Sequence, residues 1–216
     1  MKDFFGFDGY IFDLDGTLLD SMSLWGRVYS ETLSALGVAE PADYVRAVNK
    51  MSVADGARYT VESLGLSVSP EQIVEMWKAT AHKEYRDSIQ PKNNAEKLLK
   101  RLAALGKSIG VATALDSSLY VPCFRRLNFD GMFRSVTTVA EVGKDKRYPD
   151  VYLAECEKMG LTPDRCVVLE DSITGATSAK RGGFYTVGVF DADADCTPQE
   201  MQAVCDRYVS DLGDLF

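Results

Sequence analysis

The sequence contains one histidine, His82, and no two cysteines in CxxC spacing. A single imidazole cannot build a His-rich metal centre, and any Ser-His or Cys-His triad would depend on His82 alone. His82 stands beside Lys83 and Glu84 in a helical pattern, so a solvated surface position is expected for it. The five cysteines (Cys123, Cys156, Cys166, Cys196 and Cys205) form an odd set without framework spacing. That argues against a disulfide scaffold and for free thiols in a reducing compartment. No apolar run approaches the ~20 residues that span a bilayer. Aspartates interrupt "MKDFFGFDGYIF", which removes the apolar segment a secretory signal needs. A cytoplasmic protein with no membrane partner is therefore expected. Basic residues are outnumbered 24 to 32, for a net charge of −8. That balance makes nucleic acid an unsuitable partner. Internal repeats and low-complexity tracts are also missing, and a monomer is the default expectation.

What the chain does have is a repeating alternation of strands and helices. Its 216 residues suffice for one good core plus a small accessory domain. Strands are predicted over Gly9 to Leu14, Ser108 to Ala114, Ser135 to Val139, Arg165 to Asp171 and "YTVGVF", with a short last one in "RYVSDLGDLF". Helices fall between them: "NAEKLLKRLAALGK", the end of "LYVPCFRRLNF", "PDVYLAECEKMG" and "ITGATSAKRGG". This order implies a Rossmann-like parallel sheet with helices on both faces, an α/β core. After the first strand the pattern changes. Ser21 resembles an N-cap, with Trp25, Val28, Tyr29, Leu33 and Leu36 at helical spacing behind it. Ser69-Pro70 with Gln72 marks another helix start. From 20 to 87 no convincing strand occurs, which makes this stretch a helical insert. The expected domains are 1–19 with 88–216 as the α/β core, and 20–87 as an all-helical cap.

Ligands of open parallel sheets bind at the carboxyl ends of the strands. The first strand ends in Asp13 and Asp15, the second in Thr113, and the fourth in Glu170 and Asp171. The basic stretch "GKDKRYPD", with Lys144, Lys146 and Arg147, precedes a helix nearby. Four carboxylates gathered in one place repel each other, and burial adds several kcal/mol to the cost of each. A hard divalent cation such as Mg²⁺ relieves this and pairs with substrate phosphate. A threonine hydroxyl, backbone amides after it and a lysine then suit the remaining phosphate oxygens. Phosphoryl transfer accounts for the two-residue gap. Asp13 attacks phosphorus to form an aspartyl-phosphate, and Asp15, re-aimed by Gly16, serves as general acid and base.

Four segments in this order, "DLDGTLLDS", "GVATAL", a lysine before "YPDVYLAE" and "VVLEDSITGATSAKRGG", resemble the motifs of the haloacid dehalogenase-like superfamily. The helical insert and "DSMSLW" are similar to its phosphoglycolate phosphatase and β-phosphoglucomutase branch. The resemblance implies Asp13 as nucleophile and metal ligand. It implies Asp15 as acid/base, with its carbonyl a second ligand. Thr113 and the Ala114 backbone N–H would bind phosphate, together with Lys146, four residues before Asp150. Asp171 would be a direct metal ligand, and Glu170 one directly or through water. Arg147 stands where the family usually has proline, which keeps Lys144 in competition with Lys146. Ala114 stands where asparagine or serine is common. Dehalogenases of the family lack the second aspartate. β-Phosphoglucomutases carry a histidine soon after the first motif, where "MSLWGR" has none. The implied activity is a Mg²⁺-dependent phosphatase acting on a small phosphorylated metabolite, such as a sugar phosphate. A hexose-phosphate mutase is the alternative, and a non-catalytic binding protein on this fold comes third.

Three further features complete the reading. Lys50, Met51 and Ser52 lie in a turn of the insert that could reach over the site, and Arg27 is a similar candidate for substrate contact. "DADADCTPQE" has acidic residues at calcium-loop spacing. Cys196 replaces the required glycine and Gln202 the required glutamate, so no calcium site is expected. Trp25 and Trp77 are expected to pack rather than bind.

Overall fold

The structure is a computed structural model that describes residues 3–49, 51–194 and 196–216. Lys50 lies outside the described residues. Among them, six parallel strands form the main sheet: β1 (Gly9–Phe12), β4 (Ser108–Thr113), β5 (Ser135–Thr138), β6 (Cys166–Glu170), β7 (Tyr185–Val189) and β8 (Arg207–Val209). Their spatial order is β5-β4-β1-β6-β7-β8. Phe12 pairs with Val111 on one side and Leu169 on the other, so β1 lies at the middle of the sheet. Its four residues are all buried, as a strand covered on both faces requires. The period of two sorts the side chains into two cores. Tyr10, Phe12, Val111 and Leu169 face one, and Ile11, Ala112 and Val168 face the other.

Six helices surround the sheet: α5 (Ala95–Ala104), α6 (Ser117–Leu127), α7 (Val139–Val142), α8 (Asp150–Lys158), α9 (Ile173–Arg181) and α10 (Pro198–Val204). Three differ from expectation: α7 is a single short turn that begins at Val139, where the strand is expected to end, and α6 and α10 differ more. α6 runs through Pro122 rather than forming only near the end of its segment. Asp116 caps it by accepting from the Ser118 N–H at 2.9 Å, and Leu119, Cys123 and Phe124 are buried against the core. That packing outweighs the one backbone hydrogen bond a proline forfeits near a helix start. α10 follows the acidic "DADADC" stretch. Thr197, Pro198 and Glu200 start it with a complete capping box, a signal present in the sequence but hidden by the acidic run.

Four helices form the insert: α1 (Met22–Ala35), α2 (Tyr44–Val48), α3 (Val53–Leu64) and α4 (Pro70–Asp87). They enclose their own apolar side chains, with the Tyr29 and Trp77 rings 4.7 Å apart. Ile73, Trp77, Ala81 and Tyr85 recur every four residues on α4 and are all buried. The two connections to the core pair with each other as short antiparallel strands, β2 (Leu19–Asp20) and β3 (Gln90–Pro91). The insert therefore joins the sheet through one narrow double strand directly after Asp13 and Asp15. No helix among the described residues is long and apolar enough to cross a membrane.

Candidate active site

β1 stops at Phe12, and the Asp13 N–H still donates to the Leu169 carbonyl at 3.0 Å. Asp13 is thereby held in line with the sheet at its carboxyl edge. Gly16 then takes φ +78°, a left-handed conformation that turns the chain back. The turn closes when the Gly16 N–H donates to the Leu19 carbonyl at 2.9 Å. A Cβ on residue 16 would also land on the Asp171 carboxylate, so glycine serves both the turn and the close approach. Glu170 and Asp171 arrive from the end of β6, beside β1. One carboxylate oxygen each from Asp13, Glu170 and Asp171 lies within 4.8 Å of the others. All three residues are buried.

One cation enters this group from the described residues. Lys146 Nζ donates to Asp13 Oδ1 and, at 2.5 Å, to Glu170 Oε1. Lys144 points elsewhere, pairing with Asp150 at 2.6 Å on the half-exposed surface. Lys146 and not Lys144 is thus the lysine that meets the buried carboxylates, despite Arg147 in the place of proline. Glu170 is heavily engaged. It accepts from Tyr152 Oη at 2.7 Å, and from the Ser172 N–H and Oγ at 3.1 and 2.8 Å. Among the described residues, Asp171 accepts one hydrogen bond from a side chain, from Thr17 Oγ1 at 3.1 Å. Asp171 therefore has more lone pairs to offer an ion than Glu170.

Burial pushes the Asp13 carboxyl up to about 7, even with Lys146 pulling it down. Asp171 is driven well above the usual carboxylate range by burial, with the charges of Glu170 and Asp13 adding to it. Glu170 goes the other way: burial would raise it, but Lys146, Tyr152 and Ser172 outweigh that and hold it low. For Lys146 burial opposes the charge, and Asp13 with Glu170 overcomes it, so the ammonium is held above its ordinary value. Three carboxylates against one ammonium leave excess negative charge in a buried place. All-oxygen donors, this close together and only partly neutralised, fit a hard divalent cation.

Asp15 sits at the edge of the group. Ser21 Oγ donates to its Oδ1 at 2.6 Å, and the Tyr85 hydroxyl of α4 donates to the same oxygen. Burial raises the Asp15 carboxyl, while these two donors work against the rise. Ser21 precedes α1 as expected of an N-cap, but its side chain makes no capping bond and serves Asp15 instead. Thr113 ends β4, one position beyond the neighbour of Asp13 in register, and is buried. Its Oγ1 accepts from the Leu115 N–H at 3.0 Å, which folds the chain around the exposed Ala114.

The remaining candidates lie farther out. Met51 and Ser52 are exposed at the start of α3, where Ser52 accepts from the Asp55 N–H at 3.1 Å and caps the helix. Arg27 pairs with Glu84 at 3.9 Å on the insert surface. His82 is half-buried rather than solvated, with Nε2 3.2 Å from Ser118 Oγ across the seam between insert and core. A chamber of about 790 Å³ opens between insert and core, lined by Ser23, Arg46 and Asn49 on one side and Asp193, Thr197 and Glu200 on the other. None of the site carboxylates lines it; the link between them is Met22 in its wall, which with Asp171 crowds the space a Cβ on residue 16 would take. Neither the chamber nor the roles of Tyr85 and Tyr152 could be anticipated, since each depends on contacts between distant segments. Of the lining residues, Asn49 and Gly26 adjoin expected positions, Lys50 and Arg27.

Residues 10–189 match the family model described as haloacid dehalogenase-like hydrolase. Hexitol phosphatase B of Escherichia coli is 28% identical over 215 residues, covering 95% of this chain and 92% of the relative. The fructose-1-phosphate phosphatase of the same organism is 25% identical over 181 residues, 84% of this chain and 95% of the relative. A crystal structure described as a predicted phosphoglycolate phosphatase from Haemophilus somnus superposes with a TM-score of 0.84 at 18% identity. It covers 97% of this chain and 96% of that one, a likeness of fold. The family match runs from the second residue of β1 to the last of β7 and takes in Asp13, Thr113, Lys146 and Asp171, and this chain belongs to the haloacid dehalogenase-like hydrolases.

Proposed function

We propose that the protein is a Mg²⁺-dependent phosphatase that hydrolyses a small phosphate monoester, a sugar phosphate or related metabolite, through an aspartyl-phosphate on Asp13. The observation that carries this reading is the contact of Lys146 with Asp13 and Glu170 beside Asp171, with Asp15 two residues along the same loop. The names of the two bacterial relatives, a hexitol and a fructose-1-phosphate phosphatase, support the substrate class.

Asp13 is the nucleophile, and the phosphoryl group comes to rest on one of its oxygens. Asp15 protonates the leaving oxygen in the first half and activates water in the second, help worth roughly 10²–10⁴ in rate. Lys146 binds a phosphate oxygen and offsets the charge of Asp13 and Glu170. The Thr113 hydroxyl and the Ala114 N–H bind the other oxygens. Asp13, the Asp15 carbonyl and Asp171 would hold Mg²⁺, with Glu170 directly or through water. When bound, the ion neutralises the carboxylates and draws charge from the phosphoryl oxygens. Residues 20–87 act as a cap over the core (1–19 and 88–216), hinged at the β2–β3 pair, and exclude bulk water during transfer. The chamber receives the leaving group, with Arg46 and Asn49 as cap-side contacts. The free thiols of Cys123, Cys156, Cys166 and Cys205 fit a reducing, cytoplasmic setting.

The test is a screen of phosphate release with Mg²⁺ across sugar phosphates, polyol phosphates, nucleotides, phosphoglycolate and pyrophosphate. Release from one or more sugar or polyol phosphates is the expected result. Conversion of a hexose 1-phosphate to the 6-phosphate with little free phosphate would make the protein a mutase instead. Within the site, Lys146→Ala is expected to lower kcat/KM by about 10²-fold or more, while Lys144→Ala stays within about threefold of wild type. The reverse order would move the phosphate role to Lys144.

A further inference from the structure

Asp15 belongs to the α/β core, yet both groups that hold its carboxylate lie within residues 20–87, Ser21 at the entry to the insert and Tyr85 near the end of its last helix. The Tyr85 hydroxyl and Ser21 Oγ both donate to Oδ1. No hydrogen bond among the described residues is made by Oδ2. Two donors on one oxygen fix the rotation of the carboxylate and leave the other oxygen to meet a substrate.

Tyr85 is itself held from two sides. On the insert side it is the last member of the buried stripe Ile73, Trp77, Ala81 and Tyr85, and the Trp25 ring packs 6.5 Å from its own. On the core side the Arg126 guanidinium of α6 grips the end of α4. It donates to the carbonyls of Arg86 at 2.8 Å, Tyr85 at 3.3 Å and Ile89. Carbonyls at a helix C-terminus lack helical partners, and here a core residue supplies them. The position of the Tyr85 hydroxyl thus depends on the insert being seated on the core. Packing alone would be served equally well by phenylalanine at this place.

We propose that Tyr85 is a positioning residue for proton transfer: it holds Asp15 with Oδ1 occupied and Oδ2 directed at the leaving-group oxygen, and it does so only while the insert is docked. This rests on the reading of Asp15 as the general acid. Docking of the insert then completes the acid, so that an open molecule binds phosphate without efficiently expelling its leaving group.

The dependence on leaving group separates this role from a structural one. 4-Nitrophenoxide departs without a proton, whereas 4-methoxyphenoxide needs one, and the two phosphates are similar in size. Tyr85→Phe, which keeps the ring, is expected to lower kcat/KM for 4-methoxyphenyl phosphate by about 10-fold or more, and that for 4-nitrophenyl phosphate by less than about threefold. Its melting temperature confirms that it is folded. Tyr44→Phe, which removes another buried hydroxyl of the insert (2.8 Å from Thr60 Oγ1), is expected to leave the ratio of the two substrates unchanged. Equal losses on both substrates for Tyr85→Phe, no loss on either, or the same change of ratio in Tyr44→Phe would each overturn the proposal. Asp15→Asn keeps the two levels apart. If it shifts the ratio strongly and Tyr85→Phe does not, the positioning role fails and the acid/base reading stands. If Asp15→Asn leaves the ratio unchanged, the acid/base reading falls and the proposal falls with it.

Discussion

Asp13→Asn is expected to reduce phosphate release by about 10³-fold or more on every substrate, aryl phosphates included. The change keeps the size of the side chain and one acceptor oxygen toward Lys146, but removes the nucleophilic carboxylate. An amide cannot form the acyl-phosphate on which the proposed route depends. The fold should survive, because Asp13 is held in line by its backbone hydrogen bond to Leu169 and by a sheet packed on both faces. The measurement is a time course of phosphate release from 4-nitrophenyl phosphate with Mg²⁺, paired with circular dichroism. A folded variant that works at the wild-type rate would falsify the mechanism, whichever metabolite the protein prefers.

Removal of Mg²⁺ by a chelator should likewise abolish turnover, and adding it back should restore it. The larger consequence concerns stability. Asp13, Glu170 and Asp171 are buried against one another with Lys146 as their only ammonium partner among the described residues. An ion that binds only the folded chain stabilises it by about 2.7 kcal/mol at a hundred times its dissociation constant. Wild type should therefore melt several degrees higher with Mg²⁺ than without. Asp171→Asn should lose most of that response. It should also melt higher than wild type in chelator, because burial and the charges of Glu170 and Asp13 already disfavour the Asp171 anion. Removing a carboxylate from such a cluster relieves about 1–2 kcal/mol. Opposite signs with and without metal distinguish an ion site from ordinary packing. Identical melting shifts with Mg²⁺ in the two proteins would show that Asp171 does not hold the ion.

The order of strands and helices was legible because burial imposes its own period. β1, β4 and β6 are short, continuous apolar runs closed by polar residues, and the helices between them carry apolar positions three and four apart. Local punctuation was equally readable, as at Ser69-Pro70, where the capping box forms as expected. Less legible were features in which a local preference loses to packing. Pro122 sits inside α6 because three neighbours are buried there. Ser21 abandons capping because Asp15 is a stronger, charged acceptor.

Which chemistry-bearing side chains reach the carboxyl edge of the sheet could be read from the order of strands alone. Asp13, Thr113, Glu170 and Asp171 follow directly from strands that run in one direction, and parallel strands end together. What each of them touches depends on how distant segments pack. That packing turned Lys146 rather than Lys144 inward, saturated Glu170 with Tyr152 and Ser172 while leaving Asp171 more open, and brought Tyr85 from α4 onto Asp15. The physical reason is one of range. Periodicity and capping act over three or four residues, but Tyr85 meets Asp15 across seventy positions and Lys146 meets Asp13 across 133. Contacts at that separation are selected by how the insert and the loops pack together, which no local pattern encodes.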